Sequence, residues 1–210
     1  MALFAPNLAG PHNTPGPMLR IVFVIVALLG PAAAAEDWGP PTADYRAVLS
    51  FTDGRGETLS HRIAYTAKRQ RLDYKIGERE EIVVVDHAAA AVFVLYPQQK
   101  RYRKAALVQP EFDLGIGRSQ TKREKAGEEE VAGRKTVKYR VEAKTAQGQE
   151  YKGFAWLTPE RILLKLDGEV TQGRRTRRLT MSVSELRIGP VDDAIFRVPE
   201  DYGLLDDKRN

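Results

Sequence analysis

The chain contains no cysteine. This excludes disulfides, thiolate metal sites and a cysteine nucleophile, as well as lipid attachment at a signal-peptide cleavage point, which uses a cysteine. The mature protein is therefore expected to be soluble rather than lipid-anchored. Histidine is scarce, at 3 in 210 residues. His12 lies in the extreme N-terminal stretch, leaving His61 and His87, and two isolated histidines without ligand spacing or thiols do not make a zinc site. There is no Gly-x-Ser-x-Gly elbow for a serine nucleophile. Gly115 and Gly117 lack the third glycine and the following helix that would cradle a phosphate. The acid pairs Glu78/Glu80 and Asp192/Asp193 fall in turn-like stretches, where solvation explains them better than acid–base chemistry. No catalytic residue, metal or cofactor is expected.

Long apolar runs are also nearly absent. The one that exists, residues 21–29, follows Arg20 and ends at Gly30-Pro31. A positive residue, a short apolar core and a small-x-small end at Ala33 and Ala35 describe a Sec signal peptide over residues 18–35, cleaved after Ala35. A membrane span needs about 20 apolar residues, and no paired arginines mark twin-arginine export. Residues 1–17, rich in Pro, Gly and Asn and uncharged, read as an over-extension upstream of Met18. What remains, roughly 175 residues, suits one domain. The excess of positive charge is small, +5 for the whole chain. It permits attraction to anionic lipid or polymer and peripheral membrane contact without requiring either. Nucleic acid is not an expected partner of such an exported domain, despite Tyr102 between two arginines.

Residues 36–44, with Gly39-Pro40-Pro41, form an extended lead-in. From Tyr45 the dominant signal is period-2 alternation punctuated by turn residues. Tyr45, Ala47, Leu49 and Phe51 share one face; Leu59, His61, Ile63 and Tyr65 share the next. Residues 82–85 and 91–96 are continuously apolar, as in central strands covered on both faces. Residues 101–106 form the next strand. Residues 107–127 break the pattern, with a short helix expected within 110–117 and a polar, basic loop over 118–125. Alternation resumes at 136–144, then 150–157, 162–170 and a last long strand ending at Ile188. In that strand Leu179, Met181 and Val183 have one parity and Leu186 and Ile188 the other, so a β-bulge is expected near Ser184 and Glu185. Residues 191–202 should be a turn-rich closure docking Ile195, Phe196 and Val198 on the sheet; residues 203–210 are a tail. About ten to eleven strands at regular spacing indicate a mainly-β meander, barrel or wrapped sheet.

His61, between Leu59 and Ile63 on an apolar face, reads first as a hydrogen-bonded core histidine. His87 reads as a turn residue after Asp86. Three basic clusters, at 100–104, 118–125 and 174–178, read first as solvated faces.

Several segments together resemble the LolA-like superfamily of bacterial envelope proteins. They are Leu72-Asp73-Tyr74, the runs 81–86 and 92–97, the stretch 131–139, and the close 195–202. The resemblance covers residues 45–202. It implies an antiparallel sheet of about eleven strands, curled into an unclosed half-barrel whose concave face holds acyl chains or apolar peptide. The superfamily's lipoprotein carriers have a substantial N-terminal helix, which Trp38-Gly39-Pro40-Pro41 cannot form, and their lid helices are reduced here to residues 107–127. No carrier residue transfers by position.

The expected protein is thus a periplasmic, non-catalytic binding protein for an apolar or amphipathic ligand: a lipid, an acyl chain or a lipoprotein segment. Its groove candidates are Tyr74, Phe93, Tyr139, Phe154 and Trp156. A rival reading is a scaffold recognising an envelope protein or anionic polymer through a basic rim of Arg101, Arg103, Lys104, Arg174, Arg175, Arg177 and Arg178. A third is an enzyme acting on envelope lipid or glycan.

Overall fold

Where apolar and polar residues alternate, the chain extends and pairs with its neighbour in sequence. The computed structural model describes residues 40–107, 120–144 and 148–205. The expected signal peptide and the helix expected within 110–117 lie outside the described residues. The strands are β1 (Tyr45–Asp53), β2 (Thr58–Tyr65), β3 (Arg69–Ile76), β4 (Arg79–Asp86), β5 (Ala91–Tyr96) and β6 (Arg101–Ala106). The second series is β7 (Gln120–Val131), β8 (Arg134–Lys144), β9 (Gln149–Leu157), β10 (Leu163–Gln172), β11 (Arg175–Ile188) and β12 (Gly203–Leu204).

All twelve belong to one sheet, in the order β12-β6-β5-β4-β3-β2-β1-β11-β10-β9-β8-β7. Two meanders, β1 to β6 and β7 to β11, run outward from a central β1–β11 ladder. Every pairing is antiparallel except β12 beside β6. The two ends of the sheet, β12 and β7, are not paired with each other, so the sheet is unclosed.

One face of this sheet is packed almost dry. Tyr45, Leu49 and Phe51 of β1 cluster with Leu72 of β3, Val141 of β8 and Leu166 of β10. No described helix exceeds four residues, so burial this complete requires the sheet to curl about that face. It is the inside of a half-barrel.

Two devices fit the sheet to its packed face. At the β1–β11 ladder, Arg46 pairs with Arg187 and Val48 with Ser184, so Ala47 faces both Glu185 and Leu186. This is the expected bulge, and Glu185 occupies the left-handed region at φ 53°. It returns Leu186 and Ile188 to the face of Leu179, Met181 and Val183, and both pack against the inner core. The second device is the glycine pair Gly153 and Gly168, register partners on β9 and β10. The Tyr151 hydroxyl lies where their β-carbons would project, 2.7 Å from that position at Gly153 and 2.8 Å at Gly168. The tyrosine ring occupies the room the missing side chains leave.

The opposite face of β2 to β6 is covered by the C-terminal segment. Phe196 is buried against Ala64, Val84 and Leu95, with Val191, Ile195 and Val198 around it. Arg71 donates to the Ile195 carbonyl at 2.5 Å, and Arg69 bridges Asp86 at 2.8 Å and Asp193 at 3.2 Å. On the inner side Val92, Val94 and Tyr96 pack with Leu107 and Leu205. β4 and β5 are thus covered on both faces, as their continuous apolar runs require.

Two strands depart from the sequence reading. The polar composition of residues 118–125 predicts a loop, yet from Gln120 onward they form the first half of β7. β7 is an edge strand with a single neighbour, and charged side chains on an edge discourage pairing with foreign strands; they also erase the alternation. The other is β12, formed by the first two residues of the expected tail.

Candidate functional site

The inner face is the candidate ligand surface, and its composition follows from register. Tyr139, Ala155, Leu166, Met181, Phe51 and Leu59 form one continuous row across β8, β9, β10, β11, β1 and β2. Aromatic rings line it: Tyr45 and Tyr65 stack at 5.5 Å, and Tyr74 meets His61 edge-on at 4.6 Å. Burial raises the phenol pKa of Tyr45 and Tyr74 far above the ordinary value, so both stay neutral.

His61 is the polar exception in this interior. It is 1% exposed, with Phe51 at 5.6 Å on its other side. The core position is as expected, but neither ring nitrogen has a hydrogen-bond partner among the described residues, which corrects the expectation of a hydrogen bond. Desolvation lowers its pKa to about 4, so the ring is neutral at pH 7. A buried polar group without a partner is costly, and this one faces an otherwise apolar surface.

The five groove candidates divide between the two faces. Tyr74 and Tyr139 lie inside. Phe93, Phe154 and Trp156 point the other way, so the five do not line one groove. Phe93 packs under the C-terminal segment, with Lys104 5.7 Å from its ring centre. Phe154 and Trp156 form an outer aromatic pair 6.1 Å apart, roofed by cations. Lys138 stands 4.6 Å from the Phe154 centroid, Arg140 5.6 Å from the same ring, and the indole N–H of Trp156 donates to Glu129. Among the described residues the only exposed large hydrophobic side chain is Leu204.

The basic-rim candidates also separate. Arg101, Arg103 and Lys104 are on β6; Arg174, Arg175, Arg177 and Arg178 belong to the β10–β11 hairpin. Five strands stand between them in the sheet. Arg101 donates to the Leu204 carbonyl at 3.2 Å, and Arg178 pairs with Asp167 at 3.0 Å. His87 is exposed in the β4–β5 turn, its backbone N–H bonded to the Lys68 carbonyl. No group of metal-ligating side chains occurs among the described residues.

The sequence pattern does not single out Tyr45, Tyr65 and Tyr151 as ligand-face aromatics, although parity alone places the first two. The cation-roofed indole could not be found that way, because the roof comes from strands adjacent in space.

No family model matches the chain, and no curated protein matches it in sequence. Similar solved structures include an uncharacterized conserved protein from Thermus thermophilus. It is 13% identical with a TM-score of 0.52, over 90% of this chain and 97% of that one. A chain of the Pseudomonas aeruginosa MucA/MucB complex is 12% identical with a TM-score of 0.49; the match covers 87% of this chain but only 60% of that one. The Mycobacterium tuberculosis lipoprotein LppX is 12% identical with a TM-score of 0.44, over 86% and 99% of the two chains. At these identities the likeness is one of fold alone, the unclosed antiparallel sheet described above.

Proposed function

We propose that the protein is a non-catalytic binding protein of the bacterial cell envelope, periplasmic after cleavage at Ala35, whose inner face takes up an apolar or amphipathic ligand such as an acyl chain. The observation that carries this reading is an apolar inner face, from β3 round to β8, in a sheet whose ends are not joined. An unclosed sheet can widen at its free ends without breaking a ladder hydrogen bond, exposing the Tyr74 and Tyr139 surfaces to a ligand. The unpartnered imidazole of His61 would then meet the polar end of an amphipathic molecule. The scaffold alternative draws less support, because the basic-rim arginines stand on separate parts of the sheet. Saturable binding of a fluorescent fatty-acyl probe, displaced by unlabelled fatty acid, is the expected result with the full exported chain. Absence of saturable binding, together with no lipid in native mass spectra of periplasmic preparations, would overturn the reading.

A further inference from the structure

The outer face carries a second concavity, independent of the aromatic pair. A cleft of about 420 Å³ lies across β1, β2, β3 and β11, rimmed by Arg46, Arg62, Arg71, Arg187, Asp73 and Glu185. Val48, Ala64 and Ile195 give it an apolar floor. Of the four guanidinium groups, that of Arg71 is committed: it pairs with Asp73 at 2.7 Å and holds the Ile195 carbonyl. Arg46, Arg62 and Arg187 form no ion pair or side-chain hydrogen bond with any described residue. Among the described residues the only unpaired carboxylate on the rim is that of Glu185, so positive charge is left in excess.

Their placement runs against the stability of the sheet. Arg46 and Arg187 are direct register partners, and like charges opposite one another on antiparallel strands are unfavourable. The bulge is what creates this juxtaposition. Without the extra residue, position 187 would keep the parity of Met181 and Val183 and point into the core. The same strained residue therefore repairs the interior and sets a second guanidinium beside Arg46. Arg62 joins them from β2, where it is the register partner of Val48 on one side and Asp73 on the other.

We infer that this cleft binds a phosphate ester carrying a short apolar group. Guanidinium forks match the geometry of phosphate oxygens and bind them bidentately. The oxygens of one compact phosphate anion can be reached by three side chains around one small cleft. The volume falls within the range of small-molecule sites, and the apolar floor suits the carbon chain next to the phosphate. The ester can come from the headgroup of an anionic phospholipid or from a soluble organophosphate.

The test uses the full exported chain, with n-butyl phosphate followed by calorimetry and with cosedimentation on phosphatidylglycerol and phosphatidylcholine vesicles. Arg46→Gln, Arg62→Gln and Arg187→Gln should each weaken binding about tenfold. The melting temperature of Arg46→Gln and Arg187→Gln should hold or rise, since each relieves the like-charge pair. Binding to phosphatidylglycerol vesicles alone supports a lipid source; binding of the soluble ester as well supports a free organophosphate. The inference is overturned if neither probe binds, if Arg174→Gln at the exposed hairpin tip weakens binding as much as Arg62→Gln, or if polyglutamate binds and both phosphate probes do not. Fatty-acyl probe binding should be unchanged in all three variants, which separates this cleft from the inner-face reading.

Discussion

Trp156 on β9 has a lysine as register partner on each side, Lys165 on β10 and Lys138 on β8. Both ammonium groups lie over its ring, at 4.4 Å and 4.9 Å from the centroid. An outward-facing indole is thereby left only 3% exposed, beneath the two lysines and beside Phe154. The lysine stems cover the ring while their charges stay near water, and each cation adds electrostatic attraction to the ring face.

This arrangement is structural, and Trp156→Ala should cost about 3 kcal/mol in urea unfolding, the range for truncating a large buried aromatic. Fatty-acyl binding by the folded fraction should be unaffected. Loss of that binding without loss of stability would assign Trp156 to the ligand surface instead.

His61 makes stability depend on pH. Its pKa is about 4 in the folded chain against about 6.5 when unfolded. Between these values the unfolded chain binds a proton that the folded chain refuses, so stability is full above about pH 6.5 and falls as pH drops towards about 4. The linked loss is about 3 kcal/mol. His61→Phe should flatten this stretch of the stability–pH curve; an unchanged slope would show that another group is responsible.

Glu185→Gly should raise the melting temperature. The left-handed region costs an L-residue about 1–2 kcal/mol and glycine little, although glycine's greater freedom in the unfolded chain returns part of the gain. Glu185→Val should lower it, because a β-branched residue tolerates positive φ worst. Equal melting temperatures for both variants would count against a strained bulge.

Gly168→Ala should be strongly destabilising, by more than the roughly 1 kcal/mol typical of point mutants. The added methyl group would meet the β9 backbone and the Tyr151 hydroxyl. The double variant Gly168→Ala, Tyr151→Phe should recover little, since the backbone obstruction remains. Thermal unfolding of the two variants decides this.

The legible parts of the fold are those in which one face is buried and the other wet. β1 and β8 alternate, and the parity change in β11 locates the bulge near Ser184 and Glu185. β7 escapes the sequence reading because an edge strand facing solvent has no apolar face to announce it: Lys122, Glu124, Lys125 and Glu128 are all exposed. β12 is two residues long and pairs with a strand far back in the chain. The site is half legible for a related reason. In β9 both parities are apolar, with Tyr151, Ala155 and Leu157 inward and Phe154 and Trp156 outward. Nothing in the strand itself tells which set faces the core; that depends on the lysines its neighbours bring. The outer cleft is hidden because its three arginines come from three strands and look, one by one, like ordinary solvated positions.

The central ladder joins the two meanders across a long stretch of chain: Thr52 and Thr180, partners in it, are 128 residues apart. Each meander can zip from its own hairpins, which close short loops, but neither completes the inner face alone. The joint must wait until β11 exists, and closing so long a loop is slow. A nascent chain of this protein therefore remains without its finished interior until almost all of it has been made. The two half-sheets meet at the β1–β11 ladder, where the bulge at Glu185 shifts the register.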